Sequence, residues 1–103
     1  MYWQELTRPG LETFDRNTPV ILPVAAIEQH GPHLPLATDR IINEHLCGAL
    51  DQAAGDQVLI LPTMPVGCSR HHMDFVGTLT LTHETFITVA KETLECVASH
   101  GFT

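Results

Sequence analysis

At 103 residues, with 12 acidic residues against 5 basic ones and a formal charge of -7, the chain is long enough for a single modest domain. Its acidity argues against nucleic acid or anionic membrane as a partner, because both need clustered Lys and Arg. Cys47, Cys68 and Cys96 make an odd set with no CxxC pair, so neither a disulfide framework nor a zinc ribbon is indicated.

No apolar run approaches the ~18 residues that cross a bilayer. The opening "MYWQELTRPG" shows no basic stretch followed by an apolar one, so a cytoplasmic location is expected. In chain order, "PVILPVAAI" at 19 to 27 is apolar at nearly every position, the pattern of a strand covered on both faces. Pro23 within it fits an edge or a bulge. A polar loop follows, and then "TDRIINEHLCGALDQAAG" predicts a helix with Thr38 or Asp39 as N-cap. Its inward stripe is Ile42, Leu46, Ala49, Leu50 and Ala53, and Gly55 lies past its end.

The pattern repeats. "QVLILP" at 57 to 62 reads as a second buried strand. After the loop "TMPVGCSRHHMDFVG" and a brief alternating "TLTL", Thr82 can cap a helix with Phe86, Val89, Ala90, Leu94, Val97 and Ala98 facing inward and Gly101 ending it. "GFT" reads as the approach to a third strand. Alternating strands and helices predict an α/β fold with parallel pairing. In such a sheet the loops 28 to 39 and 63 to 77 both leave the carboxyl ends of strands, where ligands bind.

The first loop, "EQHGPHLPLATD", concentrates metal-binding side chains. Residues two apart on an extended chain point to one side, so Glu28 and His30 aim at a common point while Gln29 turns away. Asp39 arrives at the start of the next helix. Carboxylates and imidazole together suit divalent Zn, Mn or Fe, and an aspartate can bridge two ions. A bare Glu-x-His pair carries little weight, since most such pairs are solvated. The proline-framed Glu, His, His and Asp after a buried strand carry more.

That run closely resembles the signature of the creatininase family, the metal-dependent amidohydrolases that include creatinine amidohydrolase. "GCSRHHMDFVGTLTL" resembles the family's second block, with Val76 where proline is usual. The resemblance implies a three-layer α-β-α fold with a mainly parallel sheet, of which this chain is the N-terminal part: a single, incomplete domain over 1 to 103. It implies Glu28, His30 and Asp39 as metal ligands, with Asp39 the bridge of a binuclear divalent centre. His33, Ser69 and His72 are placed as catalytic or substrate-side groups. The implied activity is hydrolysis of a small cyclic or linear amide by metal-activated water, in a homo-oligomer that is commonly a hexamer in the family. A non-catalytic fragment or assembly subunit that keeps a partial site is the alternative. His71 is read as surface, Cys68 as a small packed residue, and His45, His83 and His100 as helix residues without a role.

Overall fold

The protein is described by a computed structural model that covers Met1–Thr103. A short helix α1, Arg8–Glu12, opens at Thr7, whose side chain accepts the Gly10 N–H. Strand β1 is Val20–Ile21, helix α2 is Thr38–Ala54, strand β2 is Leu59–Ile60 and helix α3 is His83–Ser99. The strands pair in parallel, Val20 with Leu59 and Ile21 with Ile60. Tyr2 pairs with Ile60 on the other side of β2. No helix is long and apolar enough to cross a membrane.

The run 19 to 27 is less continuous than expected. Ladder pairing stops after Ile21 and resumes at Val24, which pairs with Met64, one residue further along the partner than the β1–β2 register. Pro23 lacks an N–H to donate, and the one-residue offset lies between these pairings, beside Pro23 and Pro62. Ile27 then pairs antiparallel with Leu79, so the "TLTL" stretch lies against the start of the first loop. The full coverage expected for this run is confined to Pro23, whereas Val58, Leu59, Ile60 and Leu61 of the second run are all buried.

Leu59, Leu61, Val97 and Phe102 form the core, with Met1, Trp3, Leu6, Leu11, Phe14, Val20 and Leu22 packed around them. Residues 101 to 103 form no strand. Phe102 instead turns inward, its ring edge-on to Trp3 at 5.3 Å between centroids and beneath the Arg16 guanidinium at 4.6 Å. The end of α3 follows the sequence: Thr82 accepts the Thr85 N–H at its start, and Gly101 takes φ 90° just past it.

The helix faces do not follow the sequence. On α2, Ile42 is 53% exposed and Leu46 62% exposed, and Cys47 is the buried residue. On α3 only Val97 of the expected stripe is fully buried, while Val89, Leu94 and Ala98 are exposed. Periodicity identified which faces are apolar, but this chain supplies little to cover them. The N-cap of α2 also differs, because Ala37 occupies it without a side-chain bond. Thr38 instead turns its hydroxyl back to the Pro35 carbonyl at 2.6 Å.

Two glycines bring the functional loops together. A Cβ on Gly67 would lie 2.6 Å from the Ala25 carbonyl oxygen, so only glycine lets the second loop run this close to the first. Gly77, at φ 97°, receives Leu36 where a Cβ would lie 2.5 Å from Leu36 Cδ1. Both contacts tie residues 63 to 77 to residues 25 to 36.

Candidate metal centre

Glu28 leaves the end of the first strand run, and its N–H is held by the Leu36 carbonyl at 3.1 Å. This bond closes 28 to 36 into a compact loop, with Gly31 at φ 75° making the turn. Asp39 sits in the first turn of α2, where the helix dipole favours a carboxylate. As a result, ligand atoms of Glu28, His30 and Asp39 lie within 4.8 Å of one another.

The hydrogen bonds set the electrostatics of this cluster. A carbonyl oxygen can only accept, so the 3.0 Å contact between His30 Nδ1 and the Glu28 carbonyl places an N–H on Nδ1. In the neutral ring the lone pair is then on Nε2, which lies 3.2 Å from Asp39 Oδ1. A lone pair facing a carboxylate is stabilised by a proton on Nε2 or by a cation between the two atoms. Consistently, the His30 pKa is raised, first by its bond to the Glu28 carbonyl and also by Asp39, against the opposing pull of desolvation.

The spacing suits a cation. Donors that bind one divalent ion at ~2.0–2.2 Å, with angles between a right angle and a tetrahedral one, stand about 2.8–3.6 Å apart. The 3.2 Å separation falls inside that range. Nitrogen and carboxylate oxygen donors, with Glu28 in reach as a third, fit Zn or Mn in the divalent state.

The second loop meets the same carboxylate. His71 and His72 form a second convergence with Glu28, and His72 Nε2 stands 3.8 Å from Glu28 Oε1. The short 3-10 turn Arg70–His72 carries both histidines, its His72 N–H bonded to the Ser69 carbonyl at 2.9 Å. The His72 carbonyl in turn accepts the Thr78 hydroxyl at 2.9 Å. His71 is exposed, as expected of a surface residue, yet its ring packs 4.3 Å from that of His72.

Three other residues fall differently. Ser69 is 1% exposed. Its N–H donates to Thr80 Oγ1, and its hydroxyl has no partner, so its visible role is to anchor the turn under His72. His33 is exposed and belongs to neither convergent group, its ring lying over Gly31. Cys68 is half-buried and lines an open cleft with Arg70, His71 and His83. Gln29 does turn away from the Glu28–His30 point, as its place between them suggests. However, its side chain ends on His72, with Nε2 3.2 Å from Nδ1, a contact between loops that no local pattern announces.

Comparison with known proteins identifies the chain's relatives. The family model for creatininase, described as creatinine amidohydrolase, matches residues 4–103. Mycofactocin precursor peptide peptidase of Mycolicibacterium smegmatis is 36% identical over 66 residues, covering 60% of this chain and 27% of that protein. Its counterpart in Mycobacterium ulcerans is 34% identical over 73 residues, covering 63% and 29%. A solved structure named "Creatininase Mn" superposes with a TM-score of 0.86 at 26% identity, covering 98% of this chain and 41% of that one. A mutant creatininase complexed with creatine gives 0.88 at 26% identity, covering 98% and 41%. A mutant creatininase of Zn–Zn type gives 0.84 at 27% identity, covering 97% and 41%. The chain therefore spans between a quarter and somewhat over two fifths of the length of these relatives. With an α/β fold shared along nearly its whole length and a family match over residues 4–103, the chain belongs to the creatininase family.

Proposed function

We propose that the protein contributes to a divalent-metal-dependent amidohydrolase in which Glu28, His30 and Asp39 are ligands and Asp39 is the group shared between two ions. The observation that carries this reading is the His30 Nε2 lone pair held 3.2 Å from the Asp39 carboxylate, an arrangement that calls for positive charge. When bound, such an ion supplies Lewis-acid polarisation of a carbonyl and an activated water. Zn and Mn fit the donors, and Fe is the third option in the same ligand class.

The chain's own residues have separate tasks. Glu28 and Asp39 supply negative charge, and the Glu28 carbonyl fixes the ring of His30. His72, facing Glu28 from the second loop, addresses the substrate amide, and its backbone is held by Ser69 and Thr78. His33, on the exposed edge of the first loop, meets substrate at the rim. The relatives support two substrate classes, a small cyclic amide and a peptide, and both are hydrolysed at a C–N bond.

Purified chain loaded with Zn²⁺ or Mn²⁺ should be assayed against creatinine and short peptides beside the variant Asp39→Ala. Metal-dependent turnover that the variant loses supports the proposal. A rate equal to background in both proteins, with stoichiometric metal in the native chain alone, favours the alternative of a subunit that keeps a partial site without catalysis. Absence of metal from both refutes the ligand assignment.

A further inference from the structure

Gln29 sits between two metal-site residues in sequence, yet it reaches neither. Its amide oxygen accepts the Gly31 N–H at 2.9 Å. A backbone N–H can only donate, so this bond fixes which end of the amide is oxygen. The other end, Nε2, is therefore an NH₂ donor, and it lies 3.2 Å from His72 Nδ1. A donor there requires a lone pair on Nδ1. In the neutral imidazole the proton must then be on Nε2, the nitrogen that faces Glu28 Oε1 across 3.8 Å.

We propose that Gln29 is a positioning residue that holds His72 in its Nε2–H tautomer, so that His72 presents a proton donor, and not a metal ligand, to the centre. This deepens the hydrolase reading and rests on it for its consequence, although the tautomer itself does not depend on turnover. The convergence of Glu28, His71 and His72 is then no second metal site, because the His72 nitrogen facing Glu28 carries hydrogen and Nδ1 is occupied by Gln29. The 3.8 Å separation is beyond hydrogen-bond length. The Nε2–H thus remains free for an acceptor that enters beside Glu28, such as the carbonyl oxygen of an amide.

His30 and His72 are set to opposite tautomers by opposite partners. A carbonyl acceptor puts the proton on Nδ1 of His30, leaving Nε2 as a ligand atom, whereas an amide donor takes the lone pair of His72 Nδ1, leaving Nε2 as a donor. The sequence Glu-Gln-His at 28 to 30 supplies a ligand, the tautomer-setting amide and a second ligand in consecutive positions.

The test uses metal-free chain labelled with ¹⁵N at histidine and long-range ¹H–¹⁵N correlation, recorded at alkaline pH where the histidine signals no longer move with pH. His72 is assigned by the loss of its signals in His72→Gln. The native chain should show the Nε2–H pattern at His72 and the Nδ1–H pattern at His30. In Gln29→Glu both side-chain oxygens accept, so His72 should switch to Nδ1–H while His30 is unchanged. In Gln29→Leu the His72 pattern should become a mixture of both. An Nδ1–H pattern at His72 in the native chain, or an unchanged Nε2–H pattern in both variants, overturns the proposal. Unaltered His30 signals show that a variant is folded, and the native spectrum decides the matter if neither variant folds. Because no metal or substrate is present, loss of the hydrolase reading would leave this result standing, and the reverse.

Discussion

Binding a divalent ion at Glu28, His30 and Asp39 should stabilise the protein, and Asp39→Ala should abolish that gain. The separation of 3.2 Å between His30 Nε2 and Asp39 Oδ1 already matches a shared ion, so little rearrangement opposes binding and most of the affinity is expressed as folding stability. At free metal tenfold above the dissociation constant, the gain is RT ln 11, or about 1.4 kcal/mol. For a domain near this size each kcal/mol moves the melting temperature by about 4–8 °C, so a rise of roughly 6–11 °C is expected. Thermal unfolding followed by circular dichroism, with Zn²⁺ or Mn²⁺ titrated against a chelator, measures it. The variant removes one donor and one of the two carboxylates, so its melting temperature should be almost independent of metal over the same range. Equal metal-induced rises in both proteins would show that ions act elsewhere, for instance at the exposed His71, and would refute the assignment.

The raised pKa of His30 gives metal binding a defined pH dependence. A proton on Nε2 competes with the ion, so apparent affinity should fall by up to about tenfold per pH unit below that pKa and level off above it. Titrations at pH 6 and 8 would show this, with the difference lost in His30→Ala. Without metal the sign reverses, because the stabilising contact of protonated His30 with Asp39 is present at low pH and disappears as pH rises through the raised value. Thr82→Ala removes the side-chain bond to the Thr85 N–H and should cost about 1 kcal/mol in denaturant unfolding. Gly67→Ala places a methyl 2.6 Å from the Ala25 carbonyl and should cost ~1–3 kcal/mol, because backbone has to move; an unaltered melt would show that the two loops are not held at that distance. The accessible surface of 6765 Å² exceeds by about 1,000 Å² the roughly 5,800 Å² typical of a monomer of 11.4 kDa. That excess is close to one partner's share of a standard interface, so light scattering should find self-association, and a stable monomer at micromolar concentration would contradict it.

What could be read from sequence was what local rules decide. The Thr82 cap and the end of α3 at Gly101 depend on neighbours within a turn, and both are present as read. The buried run Val58 to Leu61 announced itself by continuous hydrophobicity. The convergence of Glu28 and His30 followed from strand alternation, whereas the reach of Asp39 to His30 required the loop closure that Leu36 provides. Elsewhere the deciding contact was distant. Ile42 and Leu46 form an apolar stripe in any helix, but their exposure depends on what lies opposite. The short helix α1 was not anticipated: proline is tolerated in a first helical turn, and Thr7 starts α1 there. The role of Gln29 was not legible because it is defined by a contact between the two loops.

The edge-on contact of Trp3 with Phe102 has a kinetic consequence. These rings come from opposite ends of the sequence, so bringing them together closes a loop of about a hundred residues, with an entropic cost on the order of 4 kcal/mol in its length-dependent part. Helices α2 and α3 can form and dissolve on their own within microseconds, but the core residue that covers Trp3 leaves the ribosome only about a hundred residues after it. Until then the apolar side chains of β2 have an incomplete cover, and the nascent chain depends on slow, non-local closure to hide them. The aromatic pair therefore acts as the latch of the fold, and weakening it should lengthen the interval in which the chain is open to chaperones and proteases more than it changes the geometry of the metal centre.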